Sequence, residues 1–119
     1  MNRAKRKRLS DLRTEVEQSR TLLESANTKL EYEDIANGLV DLKDQIDDVK
    51  NEEEECRDNY PENLQGSDIY AGMCEAVDTL DTVSSALDSA IDYLANQEEP
   101  DIDEALNSID EALSGLEEF

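Results

Sequence analysis

Residues 69–94 read IYAGMCEAVDTLDTVSSALDSAIDYL. Ile69, Met73, Ala76, Leu80, Val83, Leu87, Ala90 and Leu94 follow one another in alternating steps of four and three. Those are the a and d positions of a helix packed lengthwise against other helices. With Met73 at a, the charged residues Asp68, Glu75, Asp78, Asp81, Asp88 and Asp92 fall only at b, c and f, the outward face. The e positions are Tyr70, Val77, Ser84 and Ile91, and the g positions Gly72, Thr79, Ala86 and Tyr93. A two-stranded coiled coil puts charges at e and g to select its partner. Here both flanks are small or apolar, so the buried face is wide and the helix belongs in a bundle. The spacing predicts an all-α protein, an antiparallel helical hairpin or bundle with coiled-coil-like heptad packing.

Upstream, Leu9, Leu12, Val16, Leu23, Ala26 and Leu30 keep the same spacing, with Ser19 as a polar gap. The opening MNRAKRKR fits a localisation or phosphate-binding arm, or, as the favoured reading, a solvated first turn whose charges oppose the helix dipole, so that the helix becomes firm near Ser10, a cap before Asp11. The register slips around Leu30 to Asp34, and the next seam is Tyr32, Ile35, Leu39, Leu42, Ile46, Val49, Cys56 and Tyr60. That slip, with Asn37-Gly38 close behind, marks a kink or a short break. Glu53 falls at an a position of this seam, where burial is costly, so the seam is expected to open there. Lys43, Lys50 and Arg57 recur every seven residues beside it. They can pair with Asp81 and Asp88, or with Asp103, Asp110 and Glu117, at about 0–1 kcal/mol each.

Asn59 to Ser67, NYPENLQGS, is the clearest turn. Pro61 suits the start of a short helical turn, Gly66 a left-handed residue that ends it, and Ser67 a cap for the next helix. Folding about residue 65 makes the flanking helices antiparallel neighbours, with Leu42 near Leu87 or Ser89 and Cys56 near the level of Cys74. Asn96 to Pro100 interrupts the third helix, and Asp101 with Glu104 can cap a fourth that buries Ile102, Leu106, Ile109, Leu113 and Leu116, with Ala105, Ala112 and Phe119 widening the stripe. The expected helices are 4–30, 32–58, 68–97 and 101–117 in a single domain of residues 1–119. Whether Glu31 and Glu99 mark kinks in a long hairpin or true reversals is open at this level.

The turn carries a resemblance. Over roughly residues 50–95 the chain resembles small acidic helical proteins common in phages and prophages of Gram-positive bacteria. An acidic helix end precedes Asp58-Asn59, a Pro61-Glu62 turn, Leu64-Gln65 and Ser67, and then the heptad helix. The chain departs from that pattern by a longer region before the turn and an added helix after Pro100. The resemblance implies a mobile-element origin and a host-facing inhibitor; it carries over no catalytic residue.

The formal charge is −21, and it is unevenly spread. Residues 1–57 hold all 11 Lys and Arg and 15 of the 32 acids; the other 17 acids, in residues 58–119, have no cation among them. Such a field repels nucleic acid and anionic membrane and attracts basic protein surfaces. No apolar run is long enough for a membrane span and no signal peptide is evident, so a cytoplasmic protein is expected, that of the host cell if phage-encoded. Cys56 and Cys74 are too few for a disulfide framework.

The chain has no His, the commonest general base and metal ligand. It also lacks a phosphate-binding glycine loop and a nucleophile motif. No enzyme, cofactor or metal is therefore expected. Of three functions that fit, an inhibitor in the manner of an anti-CRISPR or DNA mimic comes first, occupying a basic nucleic-acid-binding surface of a host defence protein. Its candidate partner-binding residues are Glu75, Asp78, Asp81, Asp88 and Asp92, with Tyr70 and Tyr93 at the flanks. The alternative is a structural or adaptor coiled-coil protein acting through homo-oligomerisation, with a homodimer as its simplest form. A regulator that touches nucleic acid through its basic start comes third.

Overall fold

The computed structural model describes residues 1–119. It is all-helical: α1 spans Arg3–Ser25, α2 Lys29–Asp58, α3 Asp68–Ala95 and α4 Ile102–Leu116, with a 3-10 turn at Glu62–Leu64. Each α-helix begins on a side-chain cap. Asn2, Thr28, Ser67 and Asp101 accept from the backbone N–H of Lys5, Glu31, Tyr70 and Glu104, removing one orphan donor per helix. Helix α1 thus starts ahead of the expected cap at Ser10, which lies inside it. Gly66 does not take a left-handed conformation, since no residue has positive φ; Pro61 instead heads the 3-10 turn.

Both breaks are reversals rather than kinks. Each helix packs on its chain neighbours, and α1 also packs on α4, which closes a four-helix bundle. Ser84 meets Asp47 at 2.6 Å and Lys50 meets Asp81 at 3.2 Å, so α2 and α3 pair about the bond between Gln65 and Gly66. Arg20 meets Asp110 at 2.5 Å, so α1 and α4 pair about nearly the same centre. The bundle is a long two-helix hairpin folded in half, at Ala26–Thr28 and at Asn96–Asp101. It measures 55 × 23 × 18 Å.

The core draws on all four helices. Leu9, Val16, Leu39, Ile46, Leu80, Leu87 and Ile109 are fully enclosed. At Gly115 a Cβ would lie 2.5 Å from Val83 Cγ2, so the missing side chain lets α4 close onto α3. The seam of α3 is buried from Ala76 to Leu94, but Ile69 is exposed and Met73 half-buried. The reason is length: α1 begins opposite Cys56 and α4 ends opposite Thr79. The α2–α3 turn therefore projects beyond the four-helix body, with Tyr60 and Tyr70 stacked at 6.0 Å across it.

Two other expectations are corrected. The chain breaks at Ala26–Thr28, not between Leu30 and Gly38; Asn37 and Gly38 lie inside α2 on its exposed side. A Cβ at Gly38 meets nothing within 4 Å. Gly38→Ala should therefore stabilise the protein by about 0.5–1 kcal/mol through helix propensity and a less flexible unfolded chain. Thermal unfolding followed by circular dichroism should show a rise of about 2–5 °C; a fall would mean that the backbone there is not helical. The seam also stays closed at Glu53, which is only 1% exposed. Its carboxylate faces Lys5 Nζ at 3.6 Å and the Met1 amino nitrogen at 3.5 Å.

Candidate partner-binding face

Glu75, Asp78, Asp81, Asp88 and Asp92 are all exposed on the outer side of α3. The heptad places them there, because a, d, e and g positions turn inward. They do not form one uniform row. Asp81 is held by Lys50 at 3.2 Å across the α2–α3 seam, and Asp88 adds its field to that of Asp47 at Lys43. Glu75 lies on the other flank, in a shallow hollow with Arg6, Thr79, Glu118 and Phe119. Asp92 accepts from Asn96 at 2.5 Å near the far end of the helix.

Tyr70 and Tyr93 are both half-buried and lie at opposite ends of α3, about 35 Å apart along its axis. Tyr70 stacks on Tyr60 in the projecting turn. Tyr93 packs against the main core, and its carbonyl accepts from the Asp101 N–H. Val77, between them, is buried, so the three residues do not make a continuous apolar edge.

The basic line on α2 is neutralised within the bundle. Lys43 pairs with Asp47 at 3.0 Å, Lys50 with Asp81 and Arg57 with Asp58. Burial pushes the Asp47 carboxyl up. The hydrogen bonds from Ser84 and Lys43, with the charges of Lys43 and Lys50, outweigh it and hold Asp47 below its ordinary value. Lys43 is raised by its hydrogen bond to Asp47, against the opposing effect of burial, and by the charges of Asp47, Asp88 and Asp44. Only Lys50–Asp81, with the Ser84–Asp47 hydrogen bond, crosses to α3 and fixes the register of the two helices; Lys43 and Arg57 pair within α2 rather than with a neighbouring helix, and no free cation remains between the two outer faces.

A second acidic row accompanies the one on α3. Asp34, Asp41, Asp48 and Glu55 stand seven residues apart along α2, with Asp44 beside them, all exposed and none within ion-pair distance of a cation. Helix α2 turns Glu52 towards Arg8 of α1 and Lys50 towards Asp81 of α3. The row between those flanks therefore faces solvent. Its repeat of seven was readable but is masked by the density of acids in α2. Across the molecule more than two thirds of the 32 acids lack a cation partner, whereas only Arg3, Arg6 and Lys29 lack an acidic one.

These faces are convex. The hollows on the surface are open creases between helices, and no three Cys, Asp or Glu side chains converge as metal ligands would. No helix is long and apolar enough to cross a membrane. What the arrangement can do chemically is present fixed negative charge on a rigid frame. No protein-family model, no curated protein and no solved structure matches the chain.

Proposed function

We propose that the protein is a phage-encoded inhibitor that binds a basic, nucleic-acid-binding surface of a host defence protein through its acidic outer faces. One observation carries this reading: the cations between α2 and α3 are used up inside the bundle, leaving rows of unpaired carboxylates on rigid helices. Duplex DNA shows one charge per about 1.7 Å of axis. A helix of 30 residues is about 45 Å long, and the acids of α2 and α3 are spread along that length. The density is lower than that of DNA, but sign and extent agree. The phage-like turn at Asp58–Ser67 points the same way, since a mobile element gains from blocking a host protein that handles nucleic acid.

Contacts of this kind speed association at low salt and spread their energy over many weak pairs. Asp78→Asn alone should change affinity little. Changing Asp78, Asp81 and Asp88 together to Lys should abolish binding. The change sets a cation against Lys50 in place of Asp81 and another near Lys43 in place of Asp88, so circular dichroism must show the triple variant folded before its binding is read. The test is retention of host proteins on the immobilised chain at low salt. Proteins captured by the native chain should bind nucleic acid, elute as salt rises and be displaced by duplex DNA. Captured proteins that the triple variant retains equally well, whatever the salt, would reduce the acidic faces to a solubility device.

A further inference from the structure

We propose that the flank of α3 left bare beyond the end of α4 docks a helix of another protein, one with small or aliphatic residues on one face and Lys or Arg along its edge. The inference goes beyond the outer acidic faces, since this flank belongs to the inward side of α3. Helix α4 packs on the d and g positions of α3: Thr79 Oγ1 donates to Glu118 at 3.1 Å, and Gly115 closes onto Val83. Glu118 lies past the last turn of α4, so residues 68–78 of α3 have no α4 beside them. That is about 16 Å of helix. Seven residues before Thr79 and Val83 the same track carries Gly72 and Ala76, and Ile69 stands seven before Ala76. Ile69 is 63% exposed there. Gly72 and Ala76 floor a hollow of about 380 Å³, lined also by Arg6 of α1, Glu75 and Glu118.

Gly72 supplies the second support. It stands inside α3 without a positive φ, and a Cβ there meets nothing within 4 Å. A glycine inside a helix costs about 1 kcal/mol relative to alanine, and no contact within the chain offsets it. Gly38 has the same freedom, but it sits with Asp34 and Asp41 on the solvent face of α2. Gly72 stands instead between Ile69 and Ala76, apolar members of the seam. At Gly115 the absent side chain brings α4 onto Val83. At Gly72 the absence is on α3, one heptad nearer its start, where α4 no longer reaches. With Ala76 four residues on, it lets a partner helix come close, because the distance between helix axes follows the side chains at the contact.

Charge decides the occupant. Neither Glu75 nor Glu118 has a cation within ion-pair distance. The chain has no Lys or Arg after Arg57, so α3 and α4 of a second copy would bring these acids only further acids. The cationic helices, α1 and α2, already bury their apolar faces in the bundle. A foreign helix with a Lys or Arg edge answers Glu75 and Glu118, while its small or aliphatic face covers Ile69, Gly72 and Ala76. Arg6, which has no acid partner, takes one acid at the opposite edge. The apolar face fixes the place, and the charged edge fixes the choice of partner.

Nuclear magnetic resonance titration of the full chain tests this with two synthetic helices of about 18 residues, long enough to hold their shape. Both carry an Ala-Leu face and one Glu; the first adds a Lys edge, the second a Glu edge. The Lys-edged helix should shift the amide signals of Ile69, Gly72 and Ala76, and the Glu-edged one should leave them in place. Gly72→Leu puts a side chain into the open track and should weaken binding at least about tenfold, while its melting temperature holds or rises. It alters no charge, so the general attraction of lysine to the acidic surface is unchanged. Ile69→Asn, at an exposed site, should weaken binding in the same way. No shift at those three residues overturns the proposal, as do shifts confined to the outer acids of α2 and α3, or equal binding by both variants. A native chain of twice the 13.4 kDa mass by light scattering, returned to the single mass by Gly72→Leu, would give the track to a second copy and overturns it too.

Discussion

Lys5→Met should cost up to about 3–5 kcal/mol, because it leaves the buried Glu53 carboxylate with the Met1 amino group, at 3.5 Å, as its one remaining counter-ion. Urea unfolding should show the loss directly, and the melting temperature should fall by up to roughly 10–25 °C. Glu53 is 1% exposed and Lys5 9%, so neither charge can turn to water. Their geometry is poor for its setting: Lys5 Nζ stands 3.6 Å from Oε1, and Oε2 accepts no hydrogen bond. Lys5 instead donates to Cys56 Sγ at 3.4 Å. A pair so placed recovers little of what it costs to take two ions out of water. The double change Lys5→Met with Glu53→Leu should therefore cost less than Lys5→Met alone, since it removes the orphaned carboxylate, although it also takes the partner from the Met1 amino group. A double-mutant cycle separates the coupling from the burial cost. If Lys5→Met and the double variant both unfold like the native protein, Glu53 is not enclosed as described.

This pair also shows where the sequence stops being legible. Helix class and the burial of α3 could be read off because a spacing of four and three reports directly which side of a helix is apolar. The caps at Ser67 and Asp101 could be read because each needs only local chemistry. Glu53 could not, since a carboxylate at an a position looks like an open seam until its partner is known. That partner lies in MNRAKRKR, a run that reads as solvated charge. Lys5 nevertheless stands four residues before Leu9 and seven before Leu12, in register with the seam, and that spacing was the available signal. The reversals at Ala26–Thr28 and Asn96–Asp101 are a different case. Local punctuation marks a break but not its angle; the angle is set by where the apolar stripes of α1 and α4 find each other. On the candidate face, the heptad identified the outward acids of α3. It offered Asp81 as one of two sets of partners for the basic line and could not choose between them; Lys50 takes Asp81, and Tyr70 and Tyr93 lie too far apart to act together.

Leu87→Ala should destabilise the protein by about 2–5 kcal/mol, whereas Ile69→Ala, in the same unbroken seam, should change stability by less than about 0.5 kcal/mol. Periodicity gives the two residues equal standing, and the structure separates them. Leu87 is fully buried in the single core cluster to which all four helices contribute, so its truncation leaves a cavity inside that cluster. Ile69 is 63% exposed in the projecting hairpin, beyond the reach of α1 and α4. Truncation there removes surface that water already covers. Chemical denaturation of both variants decides the matter. Equal losses would mean that the hairpin tip is covered, by a partner or by a second copy, and that the bundle extends further than four helices of one chain. Equal indifference would mean that the Leu87 site collapses without a cavity, which close packing of a core forbids.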